Sequence, residues 1–283
     1  MSIPKLESYA LPAADELPDN KVQWVFEPAR AALLIHDMQN YFLNFWASDS
    51  PLIHQVVDNI ARLRAQCYAL GIPVFYTAQP DQQSDEDRAL LNDMWGPGLN
   101  RHPEQQQVTD ALTPGEHDKV LTKWRYSAFH RADLEQQLKN AGRDQLIITG
   151  VYAHIGCLTT ATDAFMRNIK PFMVADALAD FSREEHLMAL KYTAGRCGKV
   201  VTCNELILLP ESKAALRAMV LPLLEDDDQP EDDENLTDYG LDSVRVMALA
   251  ARWRMARPEI DFVALARNAS IDGWWRLLAG EQQ

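Results

Sequence analysis

Cysteine is scarce in this chain. Four residues, Cys67, Cys157, Cys197 and Cys203, stand in 283 positions, too few and too scattered for a disulfide framework. No C-x-x-C or H-E-x-x-H pattern occurs, so the common structural and protease-type zinc sites are not expected. No apolar run approaches the roughly 18 residues of a membrane helix, and no membrane span is expected. The N-terminal residues lack a basic start followed by an apolar core, so no secretory signal is expected and the cytoplasm is the expected location. Basic residues are also short, 27 against 41 acidic ones, and the net charge of −14 leaves no basic footprint for nucleic acid. What is present, 47% apolar and 24% charged residues, is ordinary globular usage.

The length suggests two domains, and the charge divides the same way. The 73 residues from Glu211 to Gln283 hold 15 acidic and 8 basic side chains, half of the whole excess. The densest acidic run, Glu225 to Glu234, is interrupted by Pro230; mutual repulsion predicts a solvated loop. Before it, Leu206-Ile207-Leu208-Leu209-Pro210 ends the preceding pattern. The expected division is a first domain over 1–205, a linker over 206–212 and a second domain over 213–283.

Residues 30–205 read as alternating strands and helices. Short apolar runs lie at 31–35, 72–76, 120–121, 145–149, 171–174 and 199–202, and runs of this kind suit buried parallel strands. Helical spacing fills Ile53 to Leu70, Asp133 to Asn140 and Glu184 to Arg196. The pattern predicts an α/β fold, an open and mostly parallel sheet with helices on both faces. Ligands of such sheets bind beyond the carboxyl ends of the strands.

Polar residues at those ends are therefore the candidates. Asp37 follows the first strand directly, where burial would raise its pKa and suit it to proton transfer; a turn or helix-cap Asp is the competing reading. Lys123 leaves the third strand, as a solvated surface lysine also would. The fourth strand runs through Gly150 and Tyr152 into a helix, a connection that aims backbone N–H groups at an anion or simply makes a tight turn. His36, His130, His154 and His186 show no metal-ligand spacing among themselves and are read as structural or as supporting the site residues from behind, with no catalytic metal expected.

Taken together, residues 22–205 resemble the isochorismatase-like hydrolase superfamily, whose cysteine members include nicotinamidases. The resemblance implies a catalytic set of an Asp after the first strand, a Lys after a middle strand and a Cys at the following helix start. Asp37 and Lys123 match. The nucleophile's place, seventh in the motif that begins at Gly150, holds Gly156, and Cys157 comes one residue late, about 100° round a helix. The departure resembles the subgroup that hydrolyses isochorismate to pyruvate and 2,3-dihydro-2,3-dihydroxybenzoate. An enol ether needs a proton on its methylene carbon rather than a nucleophile, and Asp37 could supply it, with Gly156 leaving room where a thiol would stand. Lys123 opposes protonation of Asp37; desolvation by Phe42, Trp95 and Tyr152 favours it. The same resemblance implies that Gln79 and Arg88 contact substrate, although Arg88, among three acids, also reads as a salt-bridged surface residue.

The second domain opens with Asp238-Tyr239-Gly240-Leu241-Asp242-Ser243, which resembles the phosphopantetheine attachment site of carrier proteins. The expected architecture is a small all-α bundle, with 4'-phosphopantetheine carried covalently on Ser243 beside Asp242; an ordinary capped helix is the plainer reading. Val244, Met247 and Ala248 form one apolar stripe, and Phe262 is read as core. The two domains in this order resemble the bifunctional isochorismatase/aryl carrier proteins of catecholate siderophore synthesis. That resemblance implies isochorismate as substrate and a homodimer. The implied partners are a 2,3-dihydroxybenzoate-adenylating enzyme, a phosphopantetheinyl transferase and a nonribosomal peptide synthetase. An amino analogue of isochorismate, an amide hydrolysed through Cys157, and an inactive scaffold fused to a carrier remain as other readings.

Overall fold

The apolar runs of the first 206 residues assemble into one parallel sheet. Its strands are β1 (Ala31–His36), β2 (Val74–Ala78), β3 (Lys119–Thr122), β4 (Gln145–Val151), β5 (Lys170–Ala179) and β6 (Lys199–Val201), in the spatial order β3-β2-β1-β4-β5-β6. The computed structural model describes residues 3–224 and 229–279. It divides into two units, Met1–Leu206 and Ile207–Gln283, each described by itself here.

Every residue of β1 and β4 is buried, as expected of central strands covered on both faces. β5 outruns the apolar stretch that predicts it, because the small residues Ala175, Ala177 and Ala179 are also fully buried. The principal covering helices are α1 (Pro51–Ala69), α2 (Leu134–Asn140), α3 (Leu158–Met166) and α4 (Arg183–Tyr192). Along α1, Leu52, Val56, Ile60, Leu63 and Cys67 recur at three- and four-residue spacing and turn inward, and Ser50 caps the helix by accepting from Ile53 N–H. α4 is shorter than its periodicity predicts; from Thr193 to Cys197 the chain widens into a π-type turn. The strand order reverses between β1 and β4, and this switch opens a crevice at their carboxyl ends.

The second unit is helical: α5 (Lys213–Val220), α6 (Ser243–Arg254), α7 (Phe262–Arg267) and α8 (Ile271–Ala279). Its core centres on Trp253 and Trp274, packed edge to face at 5.6 Å, with Trp274 Nε1 donating to the Leu265 carbonyl. Two expectations need correction, and the apolar stripe of α6 proves to lie on its outer face. The acidic run is not wholly solvated: Pro230 is buried and Asp232 accepts from Lys213 and Arg217, each at 2.7 Å; Glu225 to Asp228 lie outside the described residues. The Val244, Met247 and Ala248 stripe faces solvent, with Val244 68% exposed, while Val246, Leu249, Ala250 and Trp253 supply the inward face. Phe262 is 38% exposed rather than core, because the short α7 spends its one buried position on Leu265.

Candidate active site

β1 ends in His36, and the chain turns sharply at Asp37, whose φ of 50° is rare outside glycine but tolerated by Asp. The turn sends the Asp37 carboxylate over the carboxyl edge of the sheet. Its Oδ1 accepts from the Thr77 hydroxyl on β2 at 2.5 Å, and its Oδ2 accepts from Lys123 Nζ, just beyond β3, at 2.9 Å. The ion pair is buried on both sides. Lys123 is thus no surface residue: its backbone N–H donates to the Ala78 carbonyl, continuing the ladder, and its ammonium points inward.

Burial pushes the Asp37 carboxyl up, as the sequence leads one to expect. The His36 ring, the Lys123 ammonium and the Thr77 hydroxyl pull it down by more, so the net shift is below the usual carboxylate range. The expected raised pKa is therefore corrected: in the empty site Asp37 is a carboxylate. His36 is buried, and burial pulls its pKa down to about 4, with Asp37 opposing and Lys123 assisting. The ring is neutral at pH 7.

Above this pair lies a cavity of about 560 Å³, counting open solvent. Asp37, Lys123 and Gly156 all line it. Phe42 and Tyr152 contribute an aromatic wall; the Tyr152 hydroxyl is spent on the Phe42 carbonyl at 2.8 Å, so its ring rather than its oxygen faces ligand. Trp95 is held by an Nε1–H bond to the Tyr126 hydroxyl at 3.0 Å. Gln79 is fixed through its backbone, which exchanges two hydrogen bonds with the Gln39 amide, and its side chain lines the cavity.

Arg88 is not the salt-bridged surface residue its acidic neighbours suggest. It is 3% exposed and donates to the Gly96 carbonyl at 2.7 Å, and among the described residues no carboxylate pairs with it. A buried guanidinium facing a cavity without an anion is suited to a ligand carboxylate.

Two further residues escaped the sequence reading, and a third was only half read. Thr77 orients Asp37, and its signal was a hydroxyl at the end of an otherwise apolar strand. Arg125 adds a second guanidinium to the lining two residues after Lys123. His36, read as structural or as supporting the site residues, lines the cavity as well. It also corrects the statement about Gly156: the room beside that glycine is not free, because a Cβ there would lie 2.2 Å from His36 Cε1. Cys157 is fully buried beside Ala153 and Ala161, and burial pushes its thiol far up, so it offers no thiolate.

Outside the cavity lining, His154 pairs with Asp180 at 2.5 Å and lies 3.8 Å from Glu185. Their ligand atoms fall within 4.8 Å of one another. Asp180 is already committed to the backbone N–H groups of His154 and Phe181, so the trio reads as a charge-paired strap between β4 and β5.

In the helical unit, Gly240 closes a short turn with φ of 83°. Asp242 follows as the cap of α6, its carboxylate accepting from Arg245 N–H at 2.8 Å. Ser243 is the first residue of that helix and is exposed. Its hydroxyl is accessible to a transferase, and the α6 N-terminus favours a phosphodiester there. The donor set fits a phosphopantetheine attachment.

Comparison with known proteins agrees with this geometry. Residues 31–205 match the isochorismatase domain family, and residues 214–278 match the phosphopantetheine attachment site family. The chain is 68% identical to enterobactin synthase component B of Escherichia coli (strain K12), covering 99% of each. It is 47% identical to an isochorismatase of Bacillus subtilis (strain 168), covering 100% of this chain and 97% of that one. Among solved structures, a cysteine hydrolase from Pseudomonas syringae pv. phaseolicola 1448A superposes with a TM-score of 0.60 at 26% identity, over 66% of this chain and 94% of that one. With a sheet of this order, a buried Asp–Lys pair and a carrier-type serine after it, the chain belongs to the isochorismatase family, joined at its C-terminal side to a phosphopantetheine attachment domain.

Proposed function

We propose that residues 1–205 hydrolyse the enolpyruvyl ether of isochorismate and that residues 213–283 carry 2,3-dihydroxybenzoate as a thioester. The observation that carries the first half is a buried Asp37–Lys123 pair in a cavity that Gly156 also lines: an acid–base group is present, and residue 156 carries no nucleophile. The substrate brings two carboxylates into a cavity lined by Lys123, Arg88 and Arg125. Their negative charge raises the pKa of Asp37 in the complex and lets it take up a proton. Asp37 then protonates the terminal methylene carbon, giving an oxocarbenium ion. Water adds to that cation and returns a proton to Asp37, and the hemiketal collapses to pyruvate and the dihydrodiol. Lys123 holds the carboxylate in place, and Phe42, Trp95 and Tyr152 keep bulk water from the cation.

The decisive assay follows pyruvate release from isochorismate by the full chain and its Asp37→Ala variant. Rapid release lost in the variant is expected; no release by folded parent protein would overturn the reading. Amide hydrolysis through Cys157 is disfavoured by the burial of that thiol.

For the second half, Ser243 is the attachment point and the arm's thiol holds the aryl acid. A phosphopantetheinyl transferase installs the arm from coenzyme A, an adenylating enzyme loads it, and a nonribosomal peptide synthetase of siderophore assembly receives the acyl group. The exposed Val244 and Met247, close to Ser243 in sequence, and the exposed Phe262 and Val263 of α7 supply apolar contacts for such partners. Dependence on coenzyme A favours a cytoplasmic location, and the family resemblance favours a homodimer.

A further inference from the structure

The imidazole of His36 stands where the side chain of a nucleophile would be. A Cβ built on Gly156 meets His36 Cε1 at 2.2 Å and Nε2 at 2.8 Å, distances that real side chains do not reach, and Nδ1 at 3.2 Å, a tight contact. The ring cannot readily yield. It is fully buried, its Nδ1 lies 2.7 Å from the Val151 carbonyl on β4, and its Nε2 faces the Tyr126 carbonyl at 3.4 Å. The same Nδ1 is 3.6 Å from Asp37 Oδ2, the oxygen that Lys123 holds. One ring thus touches the empty nucleophile position, the carbonyl end of β4 and the acid itself.

We propose that His36 is a positioning residue interlocked with Gly156: its ring fills the nucleophile's seat, excludes any side chain at 156, and braces Asp37 in the orientation from which it protonates carbon. This rests on the reading of the site as an ether hydrolase and says what makes it one. A general acid acting on carbon must stay within about 3 Å of its target, and the Asp37 carboxylate, held at its oxygens by Thr77 and Lys123, hangs from a tight turn with positive φ. The tether from His36 to β4 fixes the turn from behind. In this site the glycine at 156 is a requirement of the histidine, and the histidine takes up the volume that a covalent mechanism would have used.

The test is a double-mutant cycle in the full chain with Gly156→Ala, His36→Asn and both together, read in kcat, KM, the pH dependence of kcat and the thermal unfolding midpoint of the hydrolase unit. Asn is shorter than His and keeps a donor for the Val151 carbonyl. Gly156→Ala alone is expected to lower kcat by at least about tenfold and to lower the midpoint, because the added methyl displaces the ring. In the His36→Asn background the same methyl should cost less than about twofold. His36→Asn alone should lower kcat with KM nearly unchanged and move the pH limb of kcat by at least about 0.5 unit, which a purely structural loss would not do. Additive effects of the two substitutions, or a Gly156→Ala enzyme as active and stable as its parent, would overturn the interlock. An unmoved pH limb in a folded His36→Asn enzyme would overturn the positioning role. Should the parent fail to hydrolyse isochorismate, the coupling in unfolding midpoints still reports on the interlock, so the two ideas fail separately.

Discussion

At the scale of single residues, the site is a contest between burial and charge. Asp37 sits out of water, which alone would protonate it, yet the His36 ring, Lys123 and Thr77 hold its pKa below the usual carboxylate range. Replacing it by Asn is expected to lower kcat by about 10²–10⁴-fold, the usual range for a lost general acid. Because the change strands a buried ammonium, it should also destabilise the fold by about 3–5 kcal/mol, measurable by denaturant unfolding. Adding Lys123→Met to that variant should recover most of the stability and none of the activity. Arg88 behaves oppositely, since its buried charge has no carboxylate partner among the described residues. Arg88→Met is expected to raise KM about 10–100-fold, the cost of a charge-assisted hydrogen bond, with no loss of stability. For the parent enzyme, kcat should fall with rising pH through one ionisation; a flat kcat from about pH 5 to about pH 9 would remove Asp37 as the donor.

Elements place these residues by what they leave unpaired. Strands β1 to β4 are each followed directly by a residue that lines the cavity, Asp37, Gln79, Lys123 and Tyr152, and the reversal of strand order gathers those ends around one crevice. In the helical unit, α6 begins with an Asp cap, and Ser243 stays exposed because the helix turns Val246, Leu249 and Trp253 inward instead. Asp242→Ala is expected to cost that unit about 1 kcal/mol, the usual value of a lost cap, seen as a lower unfolding midpoint. Ser243→Ala should keep the fold and abolish the mass gain on incubation with coenzyme A and a phosphopantetheinyl transferase. Val244→Ser, on the exposed stripe, should change stability by no more than about 0.5 kcal/mol and slow acyl transfer to the partner synthetase.

Over the whole molecule, two cores and a set of buried histidines set the stability. Burial drives both His36 and His186 from 6.5 down to about 4. Between those values an unfolded chain binds protons at both rings that the folded chain refuses, so stability rises with pH across the window and is lost as pH falls through it. Asp37, whose carboxyl is depressed, adds a further loss only below its ordinary 3.8. Unfolding midpoints measured at about pH 7, 5.5 and 4 should therefore fall before most carboxylates titrate. Each unit also closes its own apolar core, around Leu34, Ile148 and Met173 in one and around Trp253 and Trp274 in the other. Residues 1–206 expressed alone should accordingly release pyruvate from isochorismate at the rate of the full chain.

Much of this was written in the chain itself. The period of the apolar residues determined an α/β sheet followed by a helical unit, because buried strands and amphipathic helices each leave a repeat that no tertiary contact is needed to read. The spacing from Asp238 to Ser243 likewise marked a local turn and helix start, which depend only on neighbours in sequence. The protonation state of Asp37 was another matter, since it hangs on Lys123 and Thr77, 86 and 40 residues away. Arg88 also read as a salt-bridged surface residue among its acidic neighbours, and only folding removed its solvent while leaving it no carboxylate partner among the described residues. Phe262 looked like core until the packing of α7 chose Leu265. The meaning of Gly156 lay in the imidazole of His36, 120 residues earlier, and the two meet only when β4 closes beside β1. Local order follows from neighbours along the chain; charge balance and excluded volume belong to neighbours in space, and those the tertiary structure alone decided.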